Sequence, residues 1–146
     1  MISTVSKVPR YNSHASGVET IEIIRHLPFN HGCVLKYVMR RELKEPVRSL
    51  QSALYYLTDL YHEPALKADH RVARDLEDLF DRIIEAETNR DAKKFYRAFY
   101  SLLLNQCDTS YKRTKEALTR LLSEALAMEV AGAVKSLQSI ANVQAA

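Results

Sequence analysis

The segment Phe29–Arg41, FNHGCVLKYVMRR, brings apolar periodicity, a glycine, an aromatic ring and a basic run into one short stretch. Asn30 is of a residue type that caps helix N-termini, and Phe29 and Val34 would then hold the two positions of a hydrophobic staple. Val34, Leu35 and Val38 fall toward a core, whereas Lys36 and Arg40, four apart, share a face. Arg41, Lys44 and Arg48 extend the positive charge. A basic cluster beside a helix start, where backbone N–H groups are free, suits a phosphate-bearing ligand. The stretch predicts a helical domain with an anion site; the same residues also fit a plain solvated helix face.

Working outward, the pattern stays helical. Ser16 and Glu19, three apart, read as a capping box opening a first helix to about Leu27, with Val18, Ile21 and Ile24 on one face. Pro28 ends it, because the residue before a proline is pushed out of the helical region. A second helix runs from about His31 to Arg41 or Leu43. Pro46 fits the first turn of a third, where its missing N–H costs nothing. Val47, Leu50, Leu54, Leu57 and Tyr61 carry that helix toward Pro64. A fourth pattern follows to about Glu87 through Leu66, Val72, Ala73, Leu76, Phe80, Ile83 and Ile84. Its other face, with Arg74, Asp75, Glu77, Asp78, Asp81 and Arg82, is solvated and ionic. Thr88–Asp91 marks a corner, and Phe95, Tyr96, Phe99, Tyr100, Leu102 and Leu103 define a fifth helix.

Asp108–Ser110 can cap a long sixth helix, which carries Leu118, Leu121, Leu122, Ala125, Met128, Ala133, Leu137 and Ile140. Its length exceeds what a compact domain usually uses. It reads as an element reaching a neighbouring subunit; a break near Gly132 into two helices is the alternative. The expected fold class is therefore all-α. A flexible arm (1–12) precedes an N-terminal three-helix unit (13–62), which packs with a longer, oligomerising helical C-terminal part (63–146).

Composition supports a helical chain. There are three glycines among 146 residues, and the four prolines all lie within the first 64, so little interrupts the later helices. The net charge of +3 is uneven: residues 1–48 hold eight Lys/Arg against four Asp/Glu. That excess is too small for a duplex-DNA face, which makes nucleic acid an unlikely partner while leaving a nucleotide open. Cys33 and Cys107 show neither CxxC nor zinc spacing and read as reduced thiols. No apolar run approaches membrane-spanning length, and the expected location is the cytoplasm.

Residues Tyr11 to about Leu57 resemble a small bacteriophage domain family of mostly unassigned function that includes the early-region nucleotide kinase of a T-odd coliphage. Tyr11, Gly17, Val18 and Glu19 match the family's opening, and Ile21–Glu22 replaces its Ile-Asp pair. Phe29, Gly32, Lys36, Tyr37 and Arg40 match the centre, and Leu50, Ala53, Tyr55, Tyr56 and Leu57 the end. The chain departs at Cys33, where the family tends to have Asn, at Ser49 for Asp and at Ser52 for Lys. The family's Gly-Lys-Lys turn is reduced to Arg41-Glu42-Leu43-Lys44.

The resemblance implies a nucleotide-binding protein acting in the cytoplasm of an infected bacterial host. In its active form it would be a deoxynucleoside monophosphate kinase using Mg²⁺; no P-loop GxxxxGK[ST] is present. On that basis Lys36, Arg40 and Arg41 would bind phosphate. Tyr11, Gly17, Glu19, Gly32 and Tyr37 would shape the nucleotide pocket. Glu19 also fits as the capping partner of Ser16, and Tyr37, Tyr55 and Tyr56 fit either base stacking or core packing. The five histidines are scattered without metal-ligand spacing, so no metal site is expected. Cys33 reads as a buried structural thiol, or as one activated by a helix N-terminus. The polar positions replaced here favour the rival function: a non-catalytic phage protein that binds and inhibits a host protein, or sequesters a nucleotide signal.

Overall fold

A computed structural model describes residues 14–63 and 65–145 of the chain. Among them are seven helices and no strand: α1 (Thr20–Ile24), α2 (Phe29–Met39), α3 (Pro46–His62), α4 (His70–Asp75), α5 (Glu77–Ala86), α6 (Arg90–Leu104) and α7 (Asp108–Ala145). The all-α expectation holds. The N-terminal arm and Tyr11 fall outside the described residues.

Several boundaries differ from the expected ones for local reasons. The box that opens α1 is Glu19 with Glu22, not Ser16 with Glu19: the Glu22 carboxylate accepts the Glu19 N–H at 2.7 Å. Ser16 lies one turn earlier, and its Oγ accepts from the Val18 N–H at 3.1 Å. α2 starts at Phe29 with Pro28 as its cap residue, so Asn30 is already inside the helix and there is no Phe29–Val34 staple. The Asn30 amide donates instead to Asp59 of α3 at 2.8 Å. Pro46 does open α3.

The single fourth pattern divides into two helices. Asp69 caps α4 by accepting the Arg71 N–H at 2.9 Å, which delays the start to His70 and leaves Leu66 exposed. At Leu76 the N–H turns back to the carbonyl three residues earlier, Ala73, at 3.0 Å, closing α4 with a tightened turn before α5. This break keeps Ala73, Leu76, Phe80 and Ile83 all buried. α7 continues without interruption through Gly132.

One hydrophobic core extends from Val18 to Leu121. Leu50, Ala53, Leu57 and Leu60 line the inner face of α3, while Phe95, Phe99, Leu102 and Leu103 line that of α6. The first part of α7 lies against both, burying Thr114, Ala117, Leu118 and Leu121. Phe95 and Phe99 stack with ring centroids 5.5 Å apart, and Phe80 comes within 6.3 Å of Phe99. Gly32 lies where α1 meets α2, and a Cβ there would make an ordinary contact with Ile24 at 3.6 Å. The α2 inner face, Val34, Leu35 and Val38, is fully buried, which fixes the direction of its outer face.

Candidate functional site

The outer face of α2 carries Lys36, Tyr37 and Arg40, all half-buried. The Lys36 ammonium lies 4.8 Å and the Arg40 guanidinium carbon 5.7 Å from the centre of the Tyr37 ring. At those distances both cations are attracted by the ring's negative face. Tyr37 is nearly parallel to Tyr56 of α3, with an interplanar angle of 6° and centroids 5.9 Å apart. Phe29 and Tyr55 meet Tyr56 edge-on at 5.9 and 5.2 Å. Phe29 is 74% and Tyr55 67% exposed, so two rings of the cluster offer free surface.

Beneath the cluster is Cys33, whose thiol burial pushes up against the opposing pull of Lys36. It is a buried thiol rather than an activated one. Burial likewise leads the upward shift of the Tyr56 hydroxyl.

The other residues expected at a nucleotide site take up different positions. Gly17 occupies a turn with φ of 77°, a backbone conformation that favours glycine, and its N–H donates to the His14 carbonyl at 3.0 Å. Glu19 belongs to the α1 capping box and Gly32 to the α1–α2 contact. Arg41, adjacent in sequence to Arg40, does not extend the surface charge. Three residues past the inward-facing Val38, it turns inside and is 6% exposed. Its guanidinium donates to Glu87 Oε1 at 3.1 Å, to the Tyr96 hydroxyl at 3.3 Å and to the Val38 carbonyl at 3.1 Å.

Glu87, at the end of α5, is the polar hub of the interior. Besides Arg41, its carboxylate accepts His14 Nε2 at 3.3 Å and the backbone N–H groups of Thr88 and Asn89 at 3.1 and 3.0 Å. Burial alone would raise its pKa. Hydrogen bonds from His14 and Asn89, with the Arg41 charge, hold it down at about 2. Burial pushes the Tyr96 hydroxyl up to about 12. The arrangement satisfies a buried ion pair on every side and ties the α1–α2 end of the chain to the α5–α6 corner. Sequence reading missed it, because Arg41 and Glu87 lie 46 positions apart and no local pattern pairs them.

A groove of about 760 Å³ lies elsewhere, where α7 leaves the body beside the start of α3. Val47, Leu50, Leu121 and Met128 give it an apolar floor. Glu42, Glu45, Glu124 and Glu129 line it against two arginines, of which Arg41 is already paired with Glu87. Volume favours the groove as a ligand site, but its acidic rim disfavours phosphate. The Lys36–Arg40 face has the opposite sign.

Among the described residues, no group of three or more His, Cys, Asp and Glu side chains could hold a metal ion. His31 is buried in α2, and its Nε2–H donates to Gln106 at 2.8 Å. Among the described residues, no helix is long and apolar enough to cross a membrane. Comparison with family models, curated proteins and solved structures finds no match.

Proposed function

We propose that this chain binds a nucleotide on the outer face of α2, with phosphate held by Lys36 and Arg40 and the base laid on the neighbouring aromatic cluster. The supporting observation is the placement of two cations over Tyr37, continuous with Tyr56 and the exposed rings of Phe29 and Tyr55. Cations supply affinity for phosphate, and aromatic faces accept any base. In the enzymatic form implied by the phage-family resemblance, the chain transfers a phosphoryl group to a deoxynucleoside monophosphate with Mg²⁺. Such catalysis rests on positioning and electrostatics. Glu19 would orient sugar or metal in that form; its place in the α1 capping box favours the binding form over the catalytic one. The protein works in this reading as a homo-oligomer joined through α7.

A second reading is favoured by Phe29 and Tyr55: the same tyrosine-rich face docks a host protein. Large exposed aromatic side chains beside an arginine are typical anchors of protein interfaces.

A thermal-shift screen with nucleoside mono-, di- and triphosphates, with and without Mg²⁺, separates these. A nucleotide at about 100 times its Kd should stabilise the chain by roughly 2.7 kcal/mol, a shift of several degrees. Lys36→Ala should remove the shift, and product formation would identify the enzymatic form. No shift with any nucleotide would discard the nucleotide reading, and affinity capture dependent on Phe29 and Tyr55 would then support the second.

A further inference from the structure

Beyond Ala125, α7 leaves the body. Every described side chain from residue 126 to 145 is exposed, including Val130 at 62%, Leu137 at 66% and Ile140 at 55%. The projecting part is roughly 30 Å long at 1.5 Å per residue. Most helical stability in proteins comes from packing an apolar face, which the body does not supply here.

The projecting part has a face suited to that. Leu126, Val130, Ala133, Leu137 and Ile140 follow one another in alternating steps of four and three, the spacing of a two-helix seam. The core stripe of α7 takes in Ala117, Leu118, Leu121, Leu122 and Ala125. Its Leu118–Leu122 edge runs on at steps of four into Leu126 and Val130, and the seam is centred roughly 110° round the helix from the stripe at 100° per residue. That rotation turns the seam off the body and leaves it open to a separate contact. Charge does not oppose self-association, since Glu129 and Lys135 are the sole charged residues from 126 to 145.

We propose that residues 126–144 pair with the same segment of a second copy in antiparallel orientation, about a two-fold axis at the level of Lys135, on the opposite side of the helix from that side chain. Side-chain size selects the orientation. In a parallel pair Ala133 would face Ala133 of the second copy and leave an unfilled layer. In the antiparallel pair Ala133 faces Leu137, Val130 faces Ile140 and Leu126 faces Gln144, so each layer joins a larger side chain to a complementary one. The two bodies then sit at opposite ends, and each helix ends where the other's body begins. About a dozen side chains per copy take part, fewer than the 20–30 of a standard interface, and the pairing is sought at dissociation constants in the micromolar range. This pairing is independent of the ligand bound on α2.

The test is sedimentation equilibrium of the full chain from roughly 5 to 200 µM, bracketing that range. The expected result is concentration-dependent doubling of the 16.7 kDa mass. Leu137→Glu should hold the mass at that of one chain, with the melting transition of the body unchanged. Orientation is read by oxidation in a Cys107→Ser background. Ala133→Cys alone should give no linked dimer, whereas Ala133→Cys mixed with Leu137→Cys should give a mixed disulfide. A single-chain mass throughout, a mass above two chains, or a linked Ala133→Cys homodimer would each overturn the proposal.

Discussion

The two ends of α7 belong to one unbroken helix and obey different physics. From Asp108 to Leu122 it rests on α3 and α6 and buries Tyr111, Thr114, Ala117, Leu118 and Leu121. From there to Ala145 no described residue is buried. Apolar residues recur at helical spacing in both, so periodicity reports that a helix forms and not what covers it. Coverage is set by what the rest of the chain can reach. The same contrast recurs within α2, where adjacent arginines diverge: Arg40 stays at the surface over Tyr37, and Arg41 enters the interior to meet Glu87.

The comparison can be broken by substitutions that should differ sharply in cost. Phe99, fully buried between Phe80 and Phe95, should lose about 3–5 kcal/mol as Phe99→Ala, read as a fall in the urea midpoint. If the distal part of α7 were instead folded against the body, Leu137→Ala would show a comparable loss. Next in size is the interior ion pair. Glu87→Gln leaves the buried Arg41 charge with only the exposed Glu42 carboxylate, 3.6 Å away, as counterion and should cost about 3 kcal/mol. Arg40→Gln, one position from Arg41, should cost under about 0.5 kcal/mol. Equal losses for Arg40→Gln and Glu87→Gln would erase the distinction drawn within α2.

Acid sharpens the same division. The Glu87 carboxyl is held near 2, below the ordinary 4.5, so its contribution is complete above pH 4.5 and is lost as pH falls from there toward 2. The shift corresponds to roughly 3 kcal/mol at 1.36 kcal/mol per unit. His31 acts in the same direction at higher pH. Burial lowers its pKa below 6.5, so the unfolded chain binds the proton first, and stability declines as pH falls below 6.5. Glu87→Gln should flatten the lower limb of the pH–stability curve and leave the upper one. At the small end, Leu137→Ala should alter the stability of the dilute monomer by less than about 0.5 kcal/mol while abolishing its concentration dependence.

Much of the candidate site was legible because it is local. Lys36, Tyr37 and Arg40 lie within one helix and a turn of each other, and a 3.6-residue period brings such residues together wherever the helix forms. Phe29, Tyr55 and Tyr56 join them because α3 crosses this face, which no spacing in the sequence states. The groove at the α3–α7 junction was not legible for the same reason. Its walls come from residues 41–51, Asn89 and residues 121–129.

Sequence alone determined the all-α class, the Pro46 start of α3, the inward face of α6 and the apolar pattern of α7, since each depends on interactions between residues a few positions apart; on α3 the expected Leu54 and Tyr61 give way to Ala53 and Leu60, and Tyr61 is 48% exposed. The tertiary structure decided the inner face of α3, the burial of Arg41 and the exposure of α7 beyond Ala125. Arg41 is the clearest case. A guanidinium enters a protein interior when a carboxylate and enough hydrogen-bond partners await it, and Glu87, Tyr96 and the Val38 carbonyl meet that condition after α2 and the α5–α6 corner have packed.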